Sequence, residues 1–307
     1  LEQISAPTAR DEFDTAGEGA RVAVVDTGID PDHPAHQSFD PDNFAEFTLD
    51  AEEVDTDPRD PDDHGTHVSG TILGDRAPDA TGTEREIGVA PGAELLSAKV
   101  FSRFDGQTSA TTAQVVAGIE WAVNNNADVI NQSLGSVVSE ESVYDEFYLE
   151  VMRDTLAAGV LPVASAGNNG QGLTGSPGNV RESFSIAANN EQFNLADFSS
   201  GEQVYTETAW GNNAPDDYPS FYTVPDVSGP GVGVLSSVAG GGYAELSGTS
   251  MSAPHVAGTA GLVLSVLQDP SPQTVQSIIE ETAVHPDGPA VEDTEFGVGV
   301  INALGAL

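Results

Sequence analysis

The sequence predicts an α/β fold: a single doubly wound, mostly parallel sheet with helices on both faces, formed by one domain over residues 1–307. Three observations indicate this fold. Short apolar runs alternate with helix-like stretches, and the runs end in Gly, Asp, Asn or Ser. The apolar fraction of 38% is large enough to fill a core. Nothing in the sequence marks a linker or an internal repeat.

Short runs rich in Val, Ile, Leu and Ala are the predicted strands. Because strands buried on both faces are continuously apolar, we expect these runs to lie side by side in the sheet. They cover residues 21–25, 94–100, 128–133, 160–164 and 184–188.

Helices are predicted between and after these strands, over residues 111–125, 142–158, 248–267 and 272–283. The first carries an apolar stripe at helical spacing. The second carries a similar stripe that consists of Val143, Phe147, Val151 and Leu156. The third is poor in charge, so we expect it to be central and buried on most sides.

Two further features complete the chain. Ser271 followed by Pro272 is a typical N-cap and first residue of a helix. Residues 194–225, rich in Asp, Tyr, Trp and Pro, are predicted to form a long ordered excursion from the sheet.

The charge is strongly negative and dispersed. The sequence has 9 Lys and Arg against 49 Asp and Glu, a formal net charge of −40, and Lys99 is its only lysine. Such a charge repels phosphate backbones, which excludes a basic nucleic-acid groove. The near absence of lysine resembles proteins from salt-loving organisms. With no cysteine, thiolate chemistry and disulfides are excluded, and no apolar stretch is long enough to span a membrane.

Three segments each place a reactive side chain at the end of a strand or the start of a helix. Asp26 ends the apolar strand in VAVVDTGID, where open α/β sheets form their ligand crevice. His64 begins a predicted helix in HGTHVSG, and Ser250 lies in the first turn of another in SGTSMSAPHVAG. A helix N-terminus favours developing negative charge. All three residues are therefore candidates for one site.

Each candidate also has an ordinary structural interpretation. An aspartate at the end of a strand is commonly a turn residue, and a serine at a helix start is commonly an N-cap. His64 and His67 stand at a spacing that would also suit a metal, but no carboxylate at a suitable spacing completes that site. We therefore expect His67 to be a packed helix residue.

Together these segments resemble the subtilisin-like serine peptidases, or subtilases, in which the order along the chain is Asp, His, Ser. The resemblance continues through INQSLG at 130–135, VASAGN at 163–168 and GVGVINA at 297–303, so it covers almost the whole chain. An α/β-hydrolase would need the serine first.

The resemblance implies a role for each residue. Ser250 is expected to be the nucleophile, His64 the general base and then acid, and Asp26 the partner that holds the imidazole tautomer. The same division is required because a serine hydroxyl is a weak nucleophile without an adjacent base. The Asn168 side-chain amide and the Ser250 backbone N–H are expected to form the oxyanion hole.

Substrate binding is also implied by the resemblance. An extended substrate is expected to pair with the chain after a strand end, and a floor without a side chain favours large apolar residues at P1, the residue before the cleaved bond. The proline that follows this floor is often cis in the family, which Ser176-Pro177 would suit. The expected binding residues are Ser133, Leu134, Gly135, Ala166, Gly167 and Gly175.

The chain departs from the family in its metal ligands. Family members commonly bind calcium through an N-terminal glutamine, an aspartate after a His-Pro, and an asparagine-containing loop. Here Ala35 follows Pro34 and residues 75–86 form a different, acidic loop, so we expect that calcium site to be absent. The carboxylates of Asp60, Asp62 and Asp63 could hold a cation weakly, although a solvated acidic loop fits these residues better. No metal ligand is assigned, and no organic cofactor is expected.

The combined prediction is a secreted, salt-adapted serine endopeptidase of broad specificity, similar to the halolysin-type enzymes of salt-loving archaea. Expected partners are polypeptide substrates and its own propeptide, as folding aid and inhibitor, with no nucleic acid and no membrane. We expect a monomeric mature form, extracellular in a saline environment, that needs high salt for stability. The alternative is a catalytically silent relative that binds peptides; an acidic protein mimicking nucleic acid would leave the motifs unexplained.

Overall fold

The structure is a computed structural model that describes residues 1–79, 81–104, 106–137, 144, 146–289 and 291–307. Its α-helices, in chain order, are α1 (Ala6–Phe13), α2 (His64–Leu73), α3 (Thr112–Asn124), α4 (Glu146–Ala157), α5 (Thr206–Trp210), α6 (Thr249–Val266), α7 (Pro272–Thr282) and α8 (Ala303–Ala306). Its strands are β1 (Arg21–Asp26), β2 (Phe44–Phe47), β3 (Glu53–Val54), β4 (Arg76–Pro78), β5 (Glu84–Glu86), β6 (Glu94–Lys99), β7 (Ser102–Phe104), β8 (Gln107–Ser109), β9 (Val129–Gln132), β10 (Ser136–Val137), β11 (Leu161–Ser165), β12 (Gly175–Ser176), β13 (Phe184–Asn189), β14 (Glu202–Tyr205), β15 (Phe221–Val224), β16 (Val227–Pro230), β17 (Val234–Val238) and β18 (Gly242–Leu246).

An eight-stranded sheet in the order β16-β13-β11-β9-β1-β6-β2-β3 forms the centre of the fold. All neighbours in it run parallel except β2 and β3, which pair antiparallel at one edge. The predicted doubly wound, mostly parallel sheet is therefore confirmed. Each of the five predicted strands is present with ends within one residue of the prediction.

The side chains of β1 show why helices cover both faces of the sheet. Successive side chains of a strand point to opposite faces. Val22 and Val24 accordingly belong to the core with α2 and α6, whereas Ala23 and Val25 belong to the core with α3 and α4. All four residues are at most 1% exposed, so the strand is buried on both sides.

Three predicted helices agree closely with the structure. The prediction for α3 included its N-cap as helix: α3 begins after Thr111, whose side chain forms a capping box with Gln114. Helix α7 begins at Pro272 after Ser271, which caps Thr274 N, so the predicted N-cap and first helical residue are confirmed. The charge-poor α6 is buried along most of its length, as expected.

Helix α4 differs from its prediction. It begins at Glu146, and of the predicted span residues 142, 143 and 145 lie outside the described residues. Phe147 is 63% exposed, so the predicted stripe is wrong at this position. The buried face instead carries Tyr148, Leu149 and Met152. Both sets have helical spacing, and the second is the one that the core accommodates.

The two irregular regions of the sequence form small hairpins. The acidic segment at 75–86 contains the antiparallel pair β4–β5, and the excursion at 194–225 contains the antiparallel pair β14–β15 with α5 between its strands. Across the described part of the chain, the helices are too short or too polar to cross a membrane.

Pro254 lies inside α6 and changes the hydrogen bonding of its first turn. A proline has no N–H, so it cannot donate to the carbonyl four residues earlier, which is that of Ser250. The Ser133 hydroxyl donates to this carbonyl instead, at 2.8 Å, and the Ser250 hydroxyl donates back to Ser133 O at 3.1 Å. The end of β9 and the start of α6 are thereby joined in both directions.

This arrangement predicts the effect of two substitutions on stability. Ser133→Ala leaves the Ser250 carbonyl without its donor, which should lower the free energy of unfolding by about 1–3 kcal/mol. Pro254→Ala supplies the missing helical N–H, so it should recover part of that loss in the double variant. Urea unfolding of the four proteins measures the coupling. Strictly additive effects of the two substitutions would contradict this assignment of the hydrogen bond.

Candidate active site

The candidate site lies where two neighbouring strands send their connections in opposite directions. After β1 the chain continues toward β2 and β6 on one side of the sheet, whereas after β9 it continues toward β11 on the other. Such a switch point opens a crevice beyond the carboxyl ends of the two strands. Asp26 ends β1, and Ser133 follows the last residue of β9.

Asp26 and His64 form the first contact of the site. Asp26 Oδ1 lies 2.8 Å from His64 Nδ1 and also accepts the Thr27 backbone N–H at 2.7 Å. Asp26 is fully buried, and the His64 side chain is 29% exposed. A carboxylate at Nδ1 keeps the proton on that nitrogen, so Nε2 is free to accept one. The pair therefore has the geometry of an oriented general base.

Small residues bring α2 close enough to β1 for this contact. A Cβ on Gly65 would lie 2.2 Å from Gly28 O, so only glycine fits at this crossing. Gly65 N donates to the Thr27 hydroxyl at 2.8 Å. The Asp60 carboxylate accepts the Thr66 backbone N–H at 2.8 Å and its hydroxyl at 2.7 Å, which caps the helix.

The surroundings of His64 favour its protonated form. Burial lowers the pKa of the imidazole, but the charge and hydrogen bond of Asp26, with the more distant charges of Asp60 and Asp62, outweigh burial and raise the pKa above its usual value of 6.5. His64 therefore becomes a base only at a higher pH than an isolated imidazole does.

Ser250 and His64 line the same crevice, which has a volume of about 340 Å³. The Ser250 hydroxyl bonds to Ser133 O in this structure rather than to His64 Nε2. For His64 to accept its proton, the hydroxyl must turn from Ser133 O toward the imidazole. Catalytic hydrogen bonds of this kind are often loose before substrate binds.

Asn168 is held with its amide nitrogen available. Its Oδ1 accepts the Thr249 backbone N–H at 2.8 Å and the Thr249 hydroxyl at 3.1 Å. Because a backbone N–H can only donate, the bonded atom must be the amide oxygen. Nδ2 has no hydrogen-bond partner among the described residues, and Asn168 lines the crevice beside Ser250.

The predicted substrate-binding residues come together in part. Ser133, Leu134 and Gly135 line one side of the crevice, and Gly167 and Gly175 line the other.

Antiparallel pairing of β10 with β12 holds the two sides in register. The bond from Gly175 N to Ala166 O, 3.0 Å long, joins the two segments of the second side. Ala166, the sixth predicted residue, is fully buried and does not line the crevice, so the structure does not bring it together with the other five. The Ser176-Pro177 peptide bond is cis, as predicted.

The crevice also has lining residues that the sequence reasoning did not place there. Phe101 precedes the small β7–β8 hairpin and Thr108 lies within β8. The strands of this hairpin are too short to show an apolar period. Asp62, considered only as a cation ligand, accepts a hydrogen bond from Thr108. The complete additional set is Thr27, Asp62, Phe101, Thr108, Ser165 and Asn169.

The histidines outside this pair have structural partners. His67 Nε2 lies 2.9 Å from Val234 O and 3.2 Å from Ala244 O, and burial lowers the pKa of His67 to about 4. It is therefore packed against the β17–β18 hairpin as a neutral donor, as expected.

One group within the described residues has metal-ligand spacing: His285, Asp287 and Asp293. His285 Nδ1 accepts the Asp287 backbone N–H at 3.1 Å, which leaves the proton of the neutral ring on Nε2. Nε2 lies 3.2 Å from Asp293 Oδ2, but the two atoms do not form a hydrogen bond. We assign no metal to this group.

Comparison with known proteins agrees with this geometry. Residues 17–299 match the model of the Subtilase family. Among curated relatives, a thermostable alkaline protease of Halalkalibacterium halodurans is 34% identical over 290 residues, covering 94% of this chain and 67% of the relative. Subtilisin E of Bacillus subtilis is 32% identical over 312 residues, covering 100% of this chain and 70% of the relative.

Two further matches show the range of similar proteins. Bacillopeptidase F of Bacillus subtilis is 33% identical over 341 residues, and the chain spans only 22% of its length. Among solved structures, the prenylagaramide maturation protease PagA superposes with a TM-score of 0.74 at 25% identity, over 98% of this chain and 96% of that one. The matched family model covers the site and nearly the whole sheet, and the chain therefore belongs to the subtilase family of serine peptidases.

Proposed function

We propose that this protein is an active serine endopeptidase that hydrolyses peptide bonds of polypeptides through an acyl-enzyme. The observation that carries the proposal is the buried Asp26 carboxylate, 2.8 Å from His64 Nδ1. The crevice beside this pair also contains Ser250 and the Asn168 amide, whose nitrogen has no partner among the described residues. Nucleophile, base, orienting anion and oxyanion donor are thus present in one place.

In the first half of the reaction, Ser250 Oγ attacks the peptide carbonyl while His64 Nε2 takes its proton. The imidazolium that forms is stabilised by Asp26. Negative charge develops on the carbonyl oxygen, where Asn168 Nδ2 and the Ser250 backbone N–H donate to it. His64 then gives its proton to the leaving amine, and the C–N bond breaks.

In the second half, a water molecule replaces the amine. His64 accepts a proton from this water as its oxygen attacks the acyl carbon, and the same donors stabilise the second oxyanion. Proton return from His64 to Ser250 Oγ releases the carboxylic acid. This sequence uses only the groups named, so the proposed reaction includes no organic cofactor or metal ion.

The substrate is proposed to lie extended between the two sides of the crevice. The chain at Ser133–Gly135 offers backbone groups for pairing with little sequence preference, which supports broad specificity. Gly167 and Gly175 contribute no side chains to the P1 pocket, which favours large apolar P1 residues.

We further propose salt adaptation and secretion into a saline environment, in a form that folds with the help of its own propeptide. The net charge of −40 supports adaptation to salt. The only lysine, Lys99, is 4% exposed and bonds to Glu46 and to Phe101 O, so the surface itself has no lysine ammonium. Monomeric state and weak or absent calcium binding remain predictions of the sequence.

Two substitutions test the proposed roles. Ser250→Ala should abolish peptidase activity while leaving the fold nearly intact, because it removes one hydroxyl from a crevice. Asn168→Ala should lower turnover by about two to three orders of magnitude, the size established for the corresponding donor in a subtilisin. Steady-state hydrolysis of a casein or chromogenic peptide, with circular dichroism as the folding control, measures both. Full activity of Ser250→Ala would refute the proposal.

The pH dependence should report the raised pKa of His64. Only the neutral imidazole accepts a proton, so kcat/KM should fall as pH drops through a pKa above 6.5. Asp62→Asn removes one charge that raises this pKa, so the acid limb should move to lower pH. Added salt should move the wild-type limb in the same direction, because it screens distant charges more than the Asp26 contact.

Asp154→Asn is the matched control for this experiment. Asp154 is exposed on α4 and does not contribute to the pKa of His64. Its substitution by Asn changes the charge by the same amount as Asp62→Asn. Its acid limb should coincide with that of the wild type. An Asp62→Asn profile that coincides with both would contradict the electrostatic assignment.

Salt dependence of the folded state tests the proposed adaptation. The Debye length grows from about 3 Å at 1 M salt to about 10 Å at 0.1 M, so dilution strengthens repulsion among surface carboxylates. That repulsion opposes a net stability of roughly 5–15 kcal/mol. Melting temperature and activity should therefore both fall as salt is lowered, with recovery when salt is restored.

A charge variant sharpens this test. Glu120→Gln, Glu150→Gln and Asp154→Asn together remove three exposed carboxylates on α3 and α4 that have no hydrogen bond or ion pair among the described residues. The triple variant should need less salt than the wild type for the same melting temperature. Equal melting temperatures of both proteins at all salt concentrations would rule out carboxylate repulsion as the cause.

A further inference from the structure

The excursion at 194–225 packs behind the floor of the P1 pocket. The floor is β12, Gly175–Ser176, which follows Thr174 and precedes the cis Ser176-Pro177 bond. On its crevice side the floor is held by pairing with β10. The β14–β15 hairpin contacts both ends of the floor: Glu202 of β14 bonds to Thr174, and Tyr222 of β15 bonds to Asn179. We propose that Glu202, at the start of β14, is a positioning residue that fixes the floor of the P1 pocket; this inference rests on the proposed peptidase function.

Glu202 binds the residue immediately before the floor. Its Oε1 accepts hydrogen bonds from the Thr174 hydroxyl and from the Tyr144 hydroxyl. Thr174 is 2% exposed, so its hydroxyl has no access to bulk water as a substitute partner. A carboxylate can only accept, and it can accept from two donors at once. Both hydroxyls are therefore oriented by one side chain.

Tyr144 is itself attached to the excursion. Its backbone N–H donates to Ala209 O at 2.8 Å, and its ring meets the Trp210 ring edge to face at 5.3 Å. Burial, the hydrogen bond to Glu202 and the negative charge of Glu202 raise the pKa of the Tyr144 phenol, so the phenol stays a donor. Glu202 consequently joins Thr174 to an anchored aromatic residue rather than to a free surface side chain.

A second contact supports the other end of the floor. Ser176 Oγ donates to Asn179 Oδ1 at 2.8 Å, and Asn179 O accepts the Tyr222 hydroxyl at 2.7 Å. Tyr222, on β15, also accepts from Trp210 Nε1 at 3.0 Å. Trp210 is fully buried. The hairpin thus contacts the chain both before and after Gly175–Ser176. Of these two contacts, only the one made by Glu202 involves a charged side chain.

The position of the floor decides how large a P1 side chain fits. Gly175 has no side chain, so the depth of the pocket depends on where its backbone lies. Gly175 N bonds to Ala166 O at 3.0 Å, and Thr174 is covalently joined to it. A shift of Thr174 therefore shifts the floor. A large P1 residue contacts the floor, whereas alanine at P1 does not reach it, so loss of Glu202 should affect large residues selectively.

The test uses two variants of the full chain. Glu202→Gln removes the charge with little change of shape, and Thr174→Val removes the hydroxyl that donates to it. Each is compared with the wild type on two peptide substrates that differ only in Phe or Ala at P1, after titration of active sites with an organophosphorus inhibitor. The ratio of kcat/KM for Phe over Ala should fall about tenfold in each variant, mainly through KM for the Phe substrate.

The double variant and a control separate positioning from general stability. Because Thr174→Val removes outright the hydrogen bond that Glu202→Gln weakens by taking away its charge, the double variant should lower the Phe/Ala ratio no further than Thr174→Val alone. Glu207→Gln makes the same change of charge on the same excursion, at an exposed position of α5, and should keep the wild-type ratio.

Each outcome decides between defined conclusions. An unchanged Phe/Ala ratio in titrated Thr174→Val, which loses the donor, overturns the assignment of Glu202; where Thr174→Val does not fold, an unchanged ratio in both Glu202→Gln and Glu202→Leu overturns it. A reduced ratio in Glu207→Gln equal to that of Glu202→Gln also overturns it, since the effect would then come from charge alone. A folded wild type with no titratable site overturns the proposed function instead, and the inference with it.

Discussion

The site depends on one constraint of the sheet: β1 and β9 are neighbours, yet their connections leave toward opposite edges. Connections that diverge in this way leave a crevice beyond the carboxyl ends of the two strands. Asp26 ends one strand and Ser133 follows the other. Helices α2 and α6 pack on one face of β1, so His64 and Ser250 at their N-terminal turns reach the same crevice.

Hydrogen bonds between side chains and backbone groups at the start of α6 hold the residues of the site in place. Pro254 leaves the Ser250 carbonyl without a helical donor, and Ser133 supplies one. Thr249 holds Asn168 by its amide oxygen, so the amide nitrogen is left without a partner among the described residues. The floor of the pocket is held similarly, by side chains of a hairpin that makes no contact with the reacting atoms. Positioning is thus distributed over residues with no chemical role in the reaction.

Much of the fold and of the candidate site could be predicted from the sequence, and the reason differs between the two. The strands were predictable because parallel strands buried on both faces are continuously apolar. That Asp26, His64 and Ser250 belong to one candidate site was predictable because five motifs occur together in order. Periodicity could not choose between two stripes of α4, one with Phe147 and one with Met152. It also could not place Phe101 or Glu202, because their positions depend on short hairpins whose contacts are distant in sequence.

The central claim is that the fold activates one hydroxyl, that of Ser250. The most direct measurement is intact-mass analysis after exposure of the native protein in molar salt to an organophosphorus fluoride, followed by peptide mapping. The account predicts one adduct per chain, located on Ser250, absent in Ser250→Ala and absent in the unfolded wild type. A folded wild type that remains unlabelled, or that is labelled at another residue, would contradict it.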